Sequence, residues 1–217
     1  WNERLETMSR DELTALQGER LQSLAARVYQ RNAWYREAFD QHGVKPGDIK
    51  CAADITKLPC TNKDSFRINY PLGLSCVDRS ELREFHMSSG STGTPVVMAY
   101  TNHDLEQWAE CMARCYRMAG MYPGDGVQIT PTFGLFNGGF GFFHGARKAE
   151  LFISPASSGN TPRQIKLLND FQIKGIGCVV SYMARIMEVA QEQNVELPHL
   201  KVGIFGAETF SDKMRHK

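Results

Sequence analysis

Hydrophobic and polar positions along this chain change their spacing near residue 81, and the spacing before that point is helical. Ser9-Arg10-Asp11-Glu12 reads as a helix start, because a serine cap and a glutamate three residues on satisfy each other's orphan backbone donors. Leu13, Leu16, Leu21, Leu24 and Val28 extend it as an imperfect apolar stripe. A second helix is predicted over 33–42, stopped by Gly43. Pro46-Gly47-Asp48 predicts a turn, and Thr61-Asn62-Lys63-Asp64 predicts another helix start ahead of the Tyr70-Pro71-Leu72-Gly73 break.

From Leu82 onward the runs are short, apolar and β-branched. Residues 83–87 and 96–101 read as strands on either side of a polar loop, and 104–119 as a helix ended by Gly120. Four apolar runs follow at 126–130, 150–154, 177–181 and 201–205, with helix-like stretches between them at 136–146, 162–171 and 183–193. Strands alternating with helices predict β-α-β crossovers, hence a parallel sheet covered by helices on its faces. The expected fold class is α/β: a helical segment over 1–80, then a mostly parallel sheet with flanking helices over 81–217. Ligands gather at the carboxyl ends of such strands. Glycine and hydroxyl clusters fall there, at 131–134, 155–160 and Gly206-Ala207-Glu208.

Composition narrows the partners. With 42% hydrophobic residues in 217, the chain can bury a substantial core. A net charge of +1, from 25 basic and 24 acidic residues, gives no global field to recruit a nucleic acid or an anionic membrane, so small molecules are the expected partners. No apolar run approaches the ~20 residues that span a bilayer, and no signal-peptide pattern opens the chain. Six cysteines without a C-x-x-C pair point to a reducing, cytoplasmic setting. Cys111 and Cys115 sit four apart on a helix with nothing nearby to complete a metal site, so both are expected to pack as small core residues, and no protein-bound metal is expected. The chain opens on Trp1 and closes, over 211–217, on what reads as the capped start of a helix, so a fragment of a longer protein is expected.

The polar loop carries the chemistry. Ser88-Ser89-Gly90-Ser91-Thr92-Gly93-Thr94-Pro95 packs hydroxyls, which donate to anionic oxygens, beside glycines, which let backbone N–H groups converge on one ligand. It is not a Walker A loop, since the lysine is missing and a strand follows it. Alone, the loop is ambiguous between a phosphate cradle and a polar hairpin turn. A second segment, 132–146, alternates Phe133, Phe136, Phe140, Phe142 and Phe143 with glycines that would let a flat ligand approach closely; the alternative is that these rings only glue helix to sheet. Burying one phenyl ring is worth on the order of 2–4 kcal/mol, enough to prefer an aryl acid over acetate. Thr161-Pro162-Arg163-Gln164 predicts a helix N-terminus with a threonine cap and a capping-box glutamine, leaving Ser157, Ser158 and Gly159 as loop residues at a strand end. His86 and His144 are candidates to meet a carboxylate, although lone histidines are more often structural.

The hydroxyl loop, Thr132-Phe133-Gly134-Leu135-Phe136-Asn137-Gly138-Gly139, Ser157-Ser158-Gly159-Asn160-Thr161-Pro162-Arg163-Gln164 and Gly203-Ile204-Phe205-Gly206-Ala207-Glu208, in this order, resemble the phenylacetate-CoA ligase family, a branch of the adenylate-forming enzymes. The resemblance covers nearly the whole chain. It implies that Ser88, Ser89, Gly90, Ser91, Thr92, Gly93 and Thr94 grip the β and γ phosphates of ATP. It implies that Phe133, Gly134, Phe136 and His144 line the acyl pocket, and that Gly206, Ala207 and Glu208 border the adenine and acyl pocket. Two positions depart from the family. Thr94 stands where a lysine is usual, so phosphate affinity leans on hydroxyls, amides and a basic residue from elsewhere. Phe133 stands where tyrosine is common and lacks its hydroxyl.

The implied reaction activates an aryl-acetic acid with ATP and Mg²⁺ and passes the acyl group to coenzyme A, releasing AMP and pyrophosphate; a homodimer is compatible with it. The family's magnesium-linked glutamate and catalytic lysine fall beyond residue 217, so the chain alone is expected to be inactive. Two other readings stay open: a sister adenylating enzyme with an acceptor other than coenzyme A, and a non-catalytic nucleotide-binding module.

Overall fold

The computed structural model describes residues 1–90, 93–209 and 211–212. The chain divides into two compact units, Trp1–Asn102 and His103–Lys217.

Helices and 3-10 turns fill the first unit up to Glu81. After a single turn, α1 (Glu3–Glu6), comes α2 (Arg10–Arg31), opened by the predicted capping box: Ser9 Oγ accepts from Glu12 N at 3.3 Å, and Glu12 Oε2 accepts from Ser9 N at 2.9 Å. The buried positions of α2 are Gly18 and Ala25, with Leu21 and Val28 packed on the small core of Ala25, Phe39 and Ile49. Leu24, expected on the inner stripe, is 46% exposed. Residues 18, 21, 25 and 28 share one helical face, and position 24 lies at its outer edge, beside 21 and 28. Asn32 joins α2 to α3 (Ala33–Gln41): its Oδ1 accepts from Trp34 and Tyr35 N, while its Nδ2 donates to the carbonyls of Gly73 and Ser75. Gly43, at φ +65°, takes the left-handed turn that ends α3. The short α4 (Lys63–Ile68) is capped by Asn62. Strands β1 (Leu82–Met87) and β2 (Val97–Thr101) then form an antiparallel pair in which Met87 faces Val97.

The second unit runs through α5 (Asn102–Met118), β3 (Gly126–Ile129), α6 (Asn137–Lys148), β4 (Phe152–Ser154), α7 (Thr161–Asp170), β5 (Gly175–Cys178), α8 (Val180–Glu192) and β6 (Val202–Phe205). The four strands are parallel, in the order β4-β3-β5-β6. Alternation along each strand sends side chains to two cores. Val127 and Ile129 meet Tyr116, Met121 and Phe142 on the face covered by α5 and α6. Ile176 and Cys178 meet Ile165, Leu168, Ile186 and Val189 on the face covered by α7 and α8.

Strand β5 begins two residues before the apolar run expected at 177. Gly175 and Gly177 have no side chain for a hydrophobic pattern to register, yet each is needed: a Cβ at Gly175 would lie 2.5 Å from Met121 Sδ, and one at Gly177 would lie 2.8 Å from the Phe142 ring. Val180, read as strand, opens α8.

Candidate active site

Strand order alone singles out one place on this sheet. After β3 the chain leaves through α6 to the edge strand β4, returns through α7 to β5, and then continues the other way through α8 to β6. Connections from β3 and β5 therefore diverge, which makes the gap beyond their carboxyl ends a topological switch point. The backbone there is tied across strands: Thr130 donates through both N (3.0 Å) and Oγ1 (3.1 Å) to Gly177 O, Ser157 N donates to Ile129 O (3.0 Å), and Gly206 N donates to Cys178 O (3.3 Å). The clusters at 131–134, 157–160 and 206–208 all follow strand ends on this edge.

Beyond β3 the aromatic segment forms a connected group. Phe133 sits edge-on to Phe140 (5.4 Å between centroids) and to Phe143 (6.0 Å); His144 lies 6.1 Å from each of Phe140 and Phe143 and 5.6 Å from Trp108 of α5. Of the acyl-pocket candidates, Phe133 and His144 thus belong to one cluster, while Gly134 is exposed and Phe136, at the cap position of α6, is 53% exposed. Trp108 gave no local signal, being one apolar residue on an amphipathic helix. Three of the glycines expected to receive a flat ligand receive protein instead. A Cβ would meet Thr132 O at 2.6 Å from Gly139, the Trp108 ring at 2.8 Å from Gly141 and Met112 Cβ at 2.2 Å from Gly145. Asn137, on the first turn of α6, has a buried Oδ1 that finds no hydrogen-bond donor among the described residues.

Beyond β4 the chain turns through Ser157 (φ +59°), Gly159 (φ +86°) and Asn160 (φ +49°). The cap of α7 is Asn160, whose Oδ1 accepts from Arg163 N at 3.2 Å, and not Thr161. Asparagine tolerates the left-handed backbone that this tight entry needs. Gln164, expected in a capping box, is fully buried: its Nε2 donates to Ser157 O (2.6 Å) and Gly159 O (3.3 Å), and its Oε1 accepts from Gln128 of β3 (2.6 Å). These bonds hold the 157–159 loop to the sheet.

Beyond β6, Ala207 adopts φ +66°, a region that an L side chain enters at a cost of ~1–2 kcal/mol. The turn brings Glu208 to the start of α8, where Oε2 accepts from Ser181 N and Oε1 from Ser181 Oγ, both at 2.8 Å. The backbone bond first, then the hydroxyl bond, hold this carboxyl below its ordinary range. The same carboxylate, which the resemblance puts at the border of the adenine and acyl pocket, is an anchor for the α8 N-terminus through Ser181, a residue with no signal in the sequence pattern.

The hydroxyl loop lies in the first unit. Ser88 extends the β1–β2 ladder by one rung: its N donates to Val96 O and its Oγ accepts from Val96 N, both at 3.0 Å. Gly93 N donates to Gly90 O (2.9 Å), and the two glycines sit at φ +67° and +127°. Ser91 and Thr92 lie outside the described residues; Ser89 and Thr94 are exposed. A hairpin needs only ~2–5 connecting residues. The loop between the paired Met87 and Val97 is longer than a turn requires. Arg67 of α4 donates through Nε to Thr94 O (3.3 Å). His86 is 2% exposed and bonded to Glu84 Oε1 at 2.6 Å, so it serves the hairpin.

The thiols also differ from expectation. Cys111 and Cys115 are exposed, as are Cys51 and Cys60, and only Cys178 is buried; α5 turns its alanines, Ala109 and Ala113, inward instead. Among the described residues no group of three or more histidine, cysteine or acidic side chains could hold a metal ion, and no helix is long and apolar enough to cross a membrane.

Known proteins resemble this chain along nearly its whole length. The chain is 43% identical over 216 residues to a phenylacetate-coenzyme A ligase of Aromatoleum evansii, covering 98% of the chain and 49% of that protein. It is 39% identical to the enzyme of the same name from Pseudomonas putida, over 97% of the chain and 48% of that protein. A 2-hydroxyisobutyryl-CoA ligase, solved with 2-HIB-AMP and CoA, superposes with a TM-score of 0.87 at 25% identity, over 94% of the chain and 45% of its own. No protein-family model matches. The chain spans about half the length of the curated relatives it matches.

Proposed function

This chain is related in sequence to the phenylacetate-coenzyme A ligases and shares the fold of the adenylate-forming CoA ligases, and from that premise we propose that it forms the acid-binding part, and some of the ATP site, of an enzyme that converts an aryl-acetic acid to its CoA thioester. The observation that carries the reading is the coincidence of the switch point of the sheet with the aromatic cluster and the glycine turns. In this reading residues 1–80 are a helical segment and 81–217 belong to the adenylate-forming domain.

A carboxylate resists thiol attack because oxide is a poor leaving group. Activation bonds a carboxylate oxygen to the α-phosphorus of ATP and breaks the bond to pyrophosphate; the thiol of coenzyme A then bonds to the acyl carbon, and AMP leaves. The first step spreads charge over the phosphates, which calls for positioned donors more than for an acid or base. We assign that work on this chain to Ser88, Ser89, Gly90, Gly93 and Thr94, chiefly through the hydroxyls, since Ser88 N and Gly93 N already donate within the hairpin, with Ser91 and Thr92 completing the loop sequence. Phe133 and His144, with Trp108 behind them, form the wall of an aryl-acid pocket, and Phe136 and Gly134 form its rim. Gly206 and Ala207 offer backbone on which a flat base can lie, and Glu208 holds that turn through Ser181. Mg²⁺ supplies charge neutralisation on the phosphates. Among the described residues no group of three or more histidine, cysteine or acidic side chains could hold it.

The test is acid-dependent exchange of labelled pyrophosphate into ATP by the protein that carries this chain, with aryl-acetic and short aliphatic acids compared. Exchange that requires the aryl acid is expected; exchange indifferent to the acid defeats the reading.

A further inference from the structure

The hydroxyl loop has every group a polyphosphate wants except a cation: residues 88–95 contain no basic side chain. The nearest basic residue on β1, Arg83, is at the far end of the strand, with Nη1 donating to Ser80 O (2.6 Å) and Leu82 O (3.1 Å). Arg67 is different. From α4, 27 positions earlier in the sequence, it reaches the loop and donates through Nε to Thr94 O at 3.3 Å, while Nη1 pairs with Asp64 Oδ1 at 3.1 Å. The Arg67 side chain is 30% exposed and Asp64 is 73% exposed, so the pair is a weak surface contact that orients the guanidinium. Thr94 takes its hold on Arg67 through a backbone carbonyl, which leaves the threonine hydroxyl out of that contact.

We propose that Arg67 supplies the positive charge of the phosphate-binding loop, acting from outside it and reading the β and γ phosphates of a nucleoside triphosphate. This rests on the nucleotide reading above and deepens it. A guanidinium stays charged at every accessible pH and carries five N–H donors in a rigid fork, so holding the Thr94 carbonyl and facing an anion are compatible. The contact to Thr94 ties the charge to the loop: wherever the loop carries its amides, the cation follows.

The experiment is titration calorimetry of the chain with MgATP, inorganic tripolyphosphate and AMP, on wild type, Arg67→Gln, Arg67→Lys and Asp64→Asn, with melting temperatures as the folding control. Gln keeps a donor for Thr94 but no charge. Arg67→Gln is expected to weaken MgATP and tripolyphosphate ~10-fold or more, the scale of a charged hydrogen bond, while AMP changes by less than about twofold. Arg67→Lys is expected to recover part of the loss, and Asp64→Asn, which removes a negative charge beside Arg67, to tighten tripolyphosphate by about twofold. Tripolyphosphate binding unchanged in Arg67→Gln, or an equal loss for AMP, overturns the inference while leaving the nucleotide reading intact. Wild type that binds neither MgATP nor tripolyphosphate overturns both. If Arg67→Gln fails to fold, Asp64→Asn decides: unchanged or weaker tripolyphosphate binding overturns the inference.

Discussion

Gly145→Ala should destabilise the second unit, and Gly138→Ala, seven residues away on the same helix, should not. The alanine Cβ at 145 would sit 2.2 Å from Met112 Cβ and 2.9 Å from the Met112 carbonyl carbon, on the backbone of α5. Non-bonded carbons prefer about 3.5–4.0 Å, so the two helices must part by roughly an ångström or more. Overpacking of this kind costs about 1–3 kcal/mol, and an atom opposed by backbone belongs at the upper end. Helix propensity returns about 1 kcal/mol, leaving a net loss of about 1–2 kcal/mol. For a chain of this size that is a fall of ~2–8 °C in melting temperature. At Gly138 the nearest atom to a new Cβ is Pro131 Cβ, at 3.6 Å, an ordinary contact, so propensity alone acts and a gain of up to about 1 kcal/mol is expected. Urea unfolding followed by the fluorescence of Trp108, in a Trp1→Phe, Trp34→Phe background, reads this directly, because the Trp108 ring lies over Gly141 between the same helices. Gly145→Ala as stable as wild type, or both variants moving in the same direction, would refute the claim that these glycines serve helix packing.

Three further outcomes follow from the buried and tethered groups. Burial pushes the Cys178 thiol up to about 12, with the nearby Glu208 charge adding to it, so iodoacetamide at pH 8 should label Cys111 and Cys115 in the native chain and spare Cys178; equal labelling rates by mass spectrometry would contradict this. Tyr116 is fully buried, with its phenol raised by desolvation and its hydroxyl donating to Phe142 O at 3.1 Å, so Tyr116→Phe should cost about 1 kcal/mol in urea unfolding, and an unchanged midpoint would show that the bond contributes nothing. The Glu208 carboxyl is held below its ordinary value in the folded chain, so its tie to Ser181 contributes fully above the ordinary carboxylate range and is lost as pH falls through the lowered value; protection of the Ser181 amide against hydrogen exchange should drop in acid, and protection indifferent to pH would refute the tie.

Local signals carried most of the fold. Capping chemistry at Ser9 and Asn62 and apolar runs at 126, 150 and 201 correspond to α2, α4, β3, β4 and β6, because in each the deciding groups are neighbours in sequence. Expectation and structure part where the deciding partner is distant. Gln164 looked like a cap residue until Gln128, 36 positions earlier, claimed its side chain in the sheet. Gly175 and Gly177 define a strand by what packs over them, Met121 and Phe142, and a hydropathy pattern has nothing to register there. The same holds for the site. Phe133 and His144 were legible as an aromatic segment, but Trp108 enters from another helix, and the approach of Arg67 to Thr94 has no trace in the spacing of either.

In the proposed function this chain belongs to an enzyme that joins an aryl-acetic acid to coenzyme A by way of an acyl-adenylate. The most direct measurement supplies the protein that carries the chain with phenylacetate, ATP, Mg²⁺ and coenzyme A and identifies the products by mass spectrometry. Phenylacetyl-CoA and AMP in equal amounts, with little product when acetate replaces phenylacetate, is the predicted result. Formation of ADP in place of AMP, or equal use of acetate, would contradict the proposed function.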